Sequence, residues 1–455
     1  MRIQDFTGRV LGKIAYSRWF PSRQETGRGF VEGMNYRRNF FSLSRARQDV
    51  EALKTLQQTV SKARQDVPYY AEKLRDFPVD FPQSFAEFRS LPALDKATIR
   101  ARKKDLISQE FNLSELIACS TSGSTGEPIV VYSSKKDVGW RLSGEQYYNE
   151  ILGCPRGTRL GKFYGGELDI NSKSRLRQFK NWAFNCLQLD CLRLDEKYLL
   201  EVHARLTRFS PAMLVAYSSA LYLLALTLQR NSLRPNYPAQ VIVAAAERLE
   251  KYQREVIESV FELSVVERYG ARDVGQMAYQ MPGKQQEMQI DRAYCLLEPD
   301  GEPDENGLAP ILVTTLRNQA MPLLRYRIED MARFPNDEKS RKTVTSLGEV
   351  VGRTLDYISL PDQRKIFGGM LGLLFQNKDI LAYQVIQSAD SSVRVKIVPG
   401  PNLTKDERKT MQLTMQENLR GLQLEFEYPM MIERSTATAK LRPVISYFEP
   451  AALGK

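Results

Sequence analysis

Residues 212–270 read AMLVAYSSALYLLALTLQRNSLRPNYPAQVIVAAAERLEKYQREVIESVFELSVVERYG. The runs AMLVAYS, QVIVAAA and SVVERYG have the length of β-strands and are mostly apolar, whereas SALYLLALTLQR and LEKYQREVIESVF repeat apolar residues at helical spacing. Strands that alternate with helices of this length predict βα units on a largely parallel sheet. We therefore expect an α/β fold in this part of the chain.

The segments on either side have a different texture. Residues 45–110 show helical periodicity, and strand-like runs follow at 129–134 (IVVYSS) and 158–166 (TRLGKFYGG). Later in the chain, extended runs are separated by turns such as PDGEPDENG at 299–307. This pattern is typical of antiparallel strands.

The C-terminal part of the sequence predicts a small α+β domain. A strand at 392–400 (SVRVKIVPG), a helix at 404–422 and a strand at 424–433 (LEFEYPMMIE) follow one another there. We place a boundary near residue 352, which gives a large α/β domain at 1–352 and a small domain at 353–455.

Composition and charge exclude several classes of protein. The chain has 455 residues, 42% of them hydrophobic, which suffices for a large domain and a smaller one. Its net charge of +11 is the difference between 65 basic and 54 acidic side chains, and no basic run is interleaved with aromatic residues, so we expect no nucleic acid partner. Five cysteines without a CxxC pair predict reduced thiols in the cytoplasm. The single histidine, His203, excludes a multi-histidine metal site and lies in a helical stretch, so we expect an ordinary side chain.

The N-terminal segment is basic. No run of about eighteen uncharged apolar residues occurs, so the sequence predicts no transmembrane segment and a soluble protein. Residues 1–40 carry eight Lys or Arg against three acids, with Phe6, Val10, Ile14 and Trp19 at roughly helical spacing. Such a segment either contacts a membrane surface or packs as an amphipathic helix on its own domain. We expect the packed helix.

A hydroxyl-rich loop lies between the helical lead-in and the first α/β units. Residues 121–128 read TSGSTGEP, in which two glycines allow close backbone approach and the hydroxyls add donors, as phosphate oxygens require. No Gly-Lys-Ser/Thr follows, so this is not a Walker loop. By itself the loop fits either a surface turn or a phosphate site.

Further short motifs follow in a defined order. Together with the loop they make the chain resemble the adenylate-forming (ANL) superfamily, in the branch of the phenylacetate–coenzyme A ligases and their CapK-like relatives of capsular-polysaccharide biosynthesis. The resemblance spans roughly residues 65 to 447. The matching segments are YSSAL at 217–221, AAE at 245–247, YGARD at 269–273, LRYRIED at 324–330, GRTLD at 352–356 and TAKLR at 438–442.

The resemblance implies how these residues would handle ATP, Mg²⁺ and a carboxylic acid. Asp273 would bind Mg²⁺ that bridges the phosphates, and Asp330 would accept both ribose hydroxyls. Lys440 would reach from the small domain to the α-phosphate and the attacking carboxylate, while Arg353 would approach the ribose or a phosphate. The residues implied to hold the nucleotide are Ser122, Gly123, Ser124, Thr125 and Gly126 at the phosphates, and Ala246, Glu247, Tyr269 and Gly270 around the adenine.

Some positions depart from the family pattern, and one motif has a second interpretation. Asp273 stands where glutamate is usual, Leu355 where many relatives have a charged hinge residue, and Ala439 where glycine usually precedes the lysine. These departures are compatible with an enzyme that works slowly or with one that has a specialised acceptor step. Taken alone, Asp330 with its neighbours Arg325 and Arg327 also fits a structural ion-pair strip on a strand.

The sequence thus predicts an adenylate-forming ligase. Closure of the small domain would bring Lys440 to the phosphates, and a rotated arrangement would then admit the acceptor, which is coenzyme A in the ligases named and an amine or hydroxyl otherwise. The expected partners are ATP, a small carboxylic acid and this acceptor, with the protein as a monomer or homodimer. The rival interpretation is a non-catalytic, nucleotide-binding scaffold in polysaccharide biosynthesis.

Overall fold

The contacts of the computed structural model divide the chain into two compact units. The first comprises Met1–Arg159, Phe179–Cys186 and Val266–Val350, and the second comprises Leu160–Gln178, Leu187–Val265 and Val351–Lys455. The predicted domain boundary near residue 352 stays a prediction. The structure describes residues 24–120, 129–165, 181–182, 184–191, 194–284, 287–335, 343–353, 357–362, 365–367, 371, 375, 378–433 and 441–448.

Helices form the N-terminal part of the first unit. Capping residues set where several of them begin: at the last one, Ser134 Oγ accepts the Asp137 N–H at 3.1 Å and Asp137 Oδ2 accepts the Ser134 N–H at 3.1 Å. The helices are α1 Gln24–Ser42, α2 Arg45–Asp66, α3 Pro68–Lys73, α4 Phe85–Phe88, α5 Lys96–Ala101 and α6 Lys135–Ile151.

Glycines let α1 and α6 pack at close range. A Cβ atom at Gly33 would lie 2.0 Å from Ser143 Oγ, and one at Gly139 would lie 2.2 Å from the carbonyl oxygen of Thr26. Residues 24–42, which include the second part of the basic N-terminal segment, therefore form a helix packed within their own unit, while residues 1–23 lie outside the described residues. In the part of the chain that is described, no helix combines the length and apolar character needed to cross a membrane.

The strands of the first unit pair in antiparallel fashion. The hairpin β1–β2 precedes a sheet in which β8 lies between β7 and β9, and β13 borders β9. A second sheet places β11 between β10 and β12, which confirms the antiparallel pattern predicted for this region. The bounds are β1 Ile117–Ser120, β2 Val130–Ser133, β7 Val265–Ala271, β8 Gly275–Gln280, β9 Met288–Ile290, β10 Cys295–Pro299, β11 Leu308–Thr315, β12 Tyr326–Arg333, β13 Ser346–Leu347 and β14 Val350–Arg353.

The second unit contains the predicted parallel βα arrangement. Strand β5 pairs in parallel with β3 on one side and β6 on the other, and all side chains of β5 and β6 are buried. Helices α8 and α9 supply apolar residues such as Leu221, Leu224 and Ile257 to the same core. The bounds are β3 Leu160–Phe163, β4 Cys186–Leu189, α7 Glu196–Phe209, β5 Met213–Ala216, α8 Ser218–Arg230, β6 Val241–Ala245 and α9 Lys251–Phe261.

The C-terminal part of the second unit is a small α+β module, as predicted. Its central strands β17 and β18 pair antiparallel, β20 and β19 flank them in parallel, and one face of α10 buries Met411 and Met415 in the module's core. The Tyr222 hydroxyl of α8 donates to the carbonyl of Ile380 at 2.9 Å, which joins this module to the βα part. The bounds are β15 Tyr357–Ser359, β16 Lys365–Phe367, β17 Ile380–Gln387, β18 Val393–Pro399, α10 Lys405–Asn418, β19 Leu424–Glu427 and β20 Val444–Ser446.

Candidate functional site

Tyr269 and Asp330, two of the predicted nucleotide-binding residues, are in direct contact in the first unit. The Tyr269 hydroxyl donates to Asp330 Oδ2 at 2.8 Å, and Tyr269 is 9% exposed. Burial raises the pKa of Tyr269 well above its usual range, and the charge of Asp330 adds to this shift. The phenol therefore stays protonated and acts as a donor to the carboxylate.

A second pair connects the same two motifs in the opposite sense. The Tyr326 hydroxyl donates to Asp273 Oδ2 at 2.7 Å, and both residues are buried. Burial raises the pKa of Tyr326 strongly, with Asp273 contributing. The tyrosine of each motif thus donates to the aspartate of the other motif. In both motifs the aspartate stands four residues after the tyrosine. We call Tyr269, Asp273, Tyr326 and Asp330 the exchanged pairs.

The arginines beside Asp330 do not form a strip with it. Arg325 Nε lies 2.5 Å from Glu298 Oε1 and Arg327 Nε lies 2.6 Å from Asp300 Oδ2, so both arginines pair with carboxylates near the end of β10. This arrangement leaves the Asp330 carboxylate on the Tyr269 side of β12.

The hairpin of strands β1 and β2, which flank the hydroxyl-rich loop, is bonded to the turn that precedes Asp273. Ser120 pairs with Val130 at the end of the β1–β2 hairpin, and residues 121–128 connect these two strands. The carbonyl oxygen of Arg272 accepts the Cys119 thiol at 3.0 Å and an N–H of Arg141 at 2.9 Å. The hairpin from which the loop emerges is thereby fixed beside the residue that precedes Asp273.

Gly270 is required by a close approach of two strands. The register of β7 against β8 shifts between Tyr269 and Gly270. A Cβ atom at Gly270 would lie 2.6 Å from the carbonyl oxygen of Gly275, closer than side chains tolerate. The glycine of the YGARD motif therefore allows the turn that presents Asp273.

In the second unit, Glu247 connects three segments of the chain. Its Oε2 accepts the N–H and the hydroxyl of Ser219 at 3.1 and 2.5 Å, and its Oε1 accepts the N–H of Leu441 at 3.2 Å. Ala246, just before it, has a φ of 66°, which turns the chain sharply at the end of β6. Glu247 thus binds both the start of α8 and the residue that follows Lys440.

Several predicted site residues lie outside the described residues. Arg353 ends β14, and its side chain is not among those described. The site residues outside the described part are Ser122, Gly123, Ser124, Thr125, Gly126 and Lys440, together with Leu355 and Ala439 among the departures.

The single histidine, His203, lies in α7. Its Nδ1 is 2.8 Å from the Tyr237 hydroxyl, and burial lowers its pKa.

The residues present fit a magnesium ion held largely by its substrate. Mg²⁺ in ATP-dependent sites is typically bound by one or two carboxylates plus phosphate oxygens and water. Asp273 supplies one such carboxylate, whose Oδ2 is oriented by Tyr326. Among the described residues, no group of three or more acid, cysteine or histidine side chains is arranged to hold a metal ion.

Two contacts of the site were not predicted from the sequence. Tyr326 has a role as the partner of Asp273, and Cys119 anchors the hairpin to the turn at Arg272. The tyrosine that stands four residues before the aspartate in both motifs was the available signal. Its meaning depends on which strands lie side by side, which local sequence does not reveal.

Comparison with solved structures identifies the fold as that of the adenylate-forming ligases. The chain superimposes on 2-hydroxyisobutyryl-CoA ligase in its postadenylation state, in complex with R3-HIB-AMP, with a TM-score of 0.68, 15% identity and coverage of 90% of each chain. The same ligase with 2-HIB-AMP and CoA in the thioesterification state gives a TM-score of 0.55, with 16% identity and coverage of 90% of this chain and 91% of that one. These likenesses show the fold.

Among characterised proteins, the chain is similar to protein CapK of Staphylococcus aureus. The two are 23% identical over 327 residues, which cover 70% of this chain and 71% of CapK. No protein-family model matches the chain. The fold expected from the resemblance to the adenylate-forming superfamily is confirmed, and the similarity to CapK agrees with the CapK-like branch inferred from the ordered motifs.

Proposed function

We propose that the protein activates a carboxylic acid with ATP and then transfers the acyl group to an acceptor. The observation that carries the proposal is the set of exchanged pairs beside the hairpin from which residues 121–128 emerge. It brings an acid expected at the ribose, an acid expected at the metal and the strands flanking the expected phosphate loop into one unit. The fold of the adenylate-forming ligases supports this assignment.

In the first step, a carboxylate oxygen of the substrate attacks the α-phosphorus of ATP. The bond from that phosphorus to the oxygen bridging to the β-phosphate breaks, so the products are an acyl-adenylate and pyrophosphate. The protein's share is to orient the reactants and to offset negative charge that develops on the phosphates. Lys440 would supply a positive charge at the α-phosphate, and the loop 121–128 would donate hydrogen bonds to the β- and γ-phosphates.

Each exchanged pair would prepare a carboxylate for its ligand. Tyr269 holds Asp330 Oδ2, which would orient the carboxylate toward the ribose hydroxyls, while its ring would stack on the adenine. Tyr326 holds Asp273 Oδ2 in the same way. When bound, Mg²⁺ would offset the charge of the departing pyrophosphate, with Asp273 as its protein ligand.

In the second step, the acceptor's nucleophilic atom attacks the acyl carbon and gives up its proton to solvent, and the bond from that carbon to the adenylate oxygen breaks, releasing AMP. Coenzyme A, an amine or a hydroxyl would each serve as acceptor. The CapK-like resemblance of the sequence, with which the similarity to CapK agrees, would place this transfer in polysaccharide biosynthesis.

Exchange of pyrophosphate into ATP, measured over a panel of carboxylic acids, tests the first step. We expect acid-dependent exchange in the wild type and its loss, by about a thousandfold, in Lys440→Ala, because the lysine acts on charge in the transition state. Binding of ATP should change little. Lys409→Ala, at an exposed position of α10, is the matched control and should leave exchange intact.

Two outcomes would count against the proposal. Unchanged exchange in Lys440→Ala would refute the role of the lysine. Absence of exchange with every acid, while ATP still binds, would favour the rival scaffold that binds nucleotide without catalysis.

A further inference from the structure

A cavity lies in the first unit at the closed end of the β8–β9 hairpin, beside the start of α2. Its volume is about 230 Å³. Strand β8 spans six residues, so this end lies roughly 20 Å from the turn that presents Asp273. The cavity is therefore separate from the candidate ligase site. The lining residues that matter here are Arg45, Gln48, Lys284, Glu287, Arg292 and Thr345.

Arg292 is a buried guanidinium whose hydrogen bonding is incomplete. Its side chain is 1% exposed, and its Nη2 pairs with Asp49 and donates to Thr343 Oγ1 at 2.9 Å. Its Nε and Nη1 are buried and have no partner within the described part of the chain. Burial lowers the pKa of Arg292, with the nearby charge of Arg45 adding to the effect. A buried charge with this few partners is costly unless another anion compensates it.

The other charges around the cavity leave room for such an anion. Asp49 already serves two arginines, because its Oδ1 also lies 3.3 Å from Arg45 Nε and accepts the Thr343 hydroxyl at 2.8 Å. The exposed Lys284 adds a third cation at the rim, whereas Glu287 is the acid among the lining residues. Three cationic side chains thus stand against two carboxylates, those of Asp49 and Glu287.

Helix α2 adds to the positive potential. Arg45 and Gln48, which line the cavity, stand in its first turn. This turn contains no acid, and the N-cap residue Ser44 makes no side-chain capping bond. The helix is 22 residues long, so its N-terminal dipole and backbone donors favour an anion nearby.

We propose that this cavity binds a small oxyanion, the phosphate or carboxylate group of a metabolite, between Arg45, Lys284 and Arg292. The exposed lysine would guide the anion in, and the two arginines would hold it against the start of α2. The site would act independently of ATP-dependent acid activation.

Calorimetric titration of the full chain with inorganic phosphate tests the site. We expect Lys284→Ala to weaken this binding by about tenfold, since it removes a charge-assisted contact. Lys251→Ala is the control, because it removes an equal charge at an exposed position of the second unit. Neither substitution should change the affinity for phosphate bound at the proposed ATP site, so a difference between the two variants reports on the cavity. Glu287→Gln removes the competing carboxylate and should tighten binding.

A second titration with acetate distinguishes the two sources of the oxyanion. Stronger binding of phosphate assigns a phosphorylated ligand, and stronger binding of acetate assigns a carboxylate, provided that the stronger interaction weakens in Lys284→Ala. The proposal is overturned if neither anion binds, or if Lys284→Ala and Lys251→Ala bind both anions equally well. Acid-dependent pyrophosphate exchange is measured separately, so failure of the ligase proposal would leave this result standing.

Discussion

Carboxylates of the predicted site are held in two different ways in the two units. In the first unit, Asp273 and Asp330 each accept a buried tyrosine hydroxyl from the other's motif. In the second, Glu247 is only partly buried and accepts two backbone N–H groups as well as a serine hydroxyl. The first arrangement fixes side chains within a packed core, whereas the second ties a loop to a helix start.

The two arrangements should therefore contribute differently to the stability of the fold and to the positioning of Lys440. Removing a carboxylate from an exchanged pair leaves a buried tyrosine hydroxyl without its acceptor, which costs folding free energy. Removing Glu247 chiefly frees the segment at Leu441, which directly follows Lys440, so the expected loss is in catalysis. Substitutions in the two units should therefore divide into those that change both stability and activity and those that change activity alone.

Among the substitutions that compare the two kinds of carboxylate, Asp330→Ala should have the largest effect. We expect acid-dependent exchange to fall about a hundredfold or more, because the proposed charged acceptor for the ribose hydroxyls is lost. The free energy of unfolding should fall by about 1–3 kcal/mol, because the Tyr269 hydroxyl stays buried without its partner. Pyrophosphate exchange and urea unfolding measure the two effects.

Two further variants sharpen the result for Asp330. Tyr269→Phe removes the hydroxyl but keeps the carboxylate and the ring, so it should retain more exchange activity than Asp330→Ala. Glu302→Ala, at an exposed position of the same unit, should change neither quantity. A fully stable Asp330→Ala protein would contradict the importance of the Tyr269 contact.

Glu247→Gln should have an intermediate effect on activity. Glutamine keeps the size of the side chain but replaces one acceptor oxygen with an NH₂ group, so either Ser219 or Leu441 loses its partner. We expect exchange to fall about tenfold, while unfolding in urea changes by less than about 1 kcal/mol. Glu247→Gln would then lower activity with little loss of stability, whereas Asp330→Ala lowers both.

A double-mutant cycle tests how Glu247 acts. If Glu247 works by positioning Lys440 through Leu441, Glu247→Gln should have almost no further effect in a Lys440→Ala background. Additive losses would mean that Glu247 contacts the nucleotide independently of the lysine, which is the adenine-side role that the sequence implied.

The sequence was most informative where the determining interactions are local. The apolar periodicity of residues 212–270 predicts β5, α8, β6 and α9, because each element is set by its own side chains. The turn at Gly270 also follows from a local steric requirement. The ordered motifs indicated the adenylate-forming fold, since each one is a short continuous segment.

The remaining contacts depend on pairings between distant segments. Tyr326 and Asp273 are 53 positions apart, and Glu247 and Leu441 are 194 apart. Which tyrosine meets which aspartate is set by the mutual placement of β7 and β12, and no periodicity in a single segment contains that information. The same holds for the glycines that bring α1 and α6 together.

Tyr326→Phe should have the smallest effect in this series and tests whether the two exchanged pairs are equivalent. Phenylalanine fills the same buried space, and it frees Asp273 Oδ2 from its hydrogen bond. We expect a stability loss of about 0.5–1.5 kcal/mol, together with a few-fold rise in the Mg²⁺ concentration needed for half-maximal exchange. A magnesium titration of exchange, run beside Tyr269→Phe, measures this shift. Because Tyr269 holds Asp330 instead of Asp273, its removal should leave the magnesium requirement unchanged. An equal shift in both variants would mean that the four residues act as one network, and the two pairs would then have no separate roles.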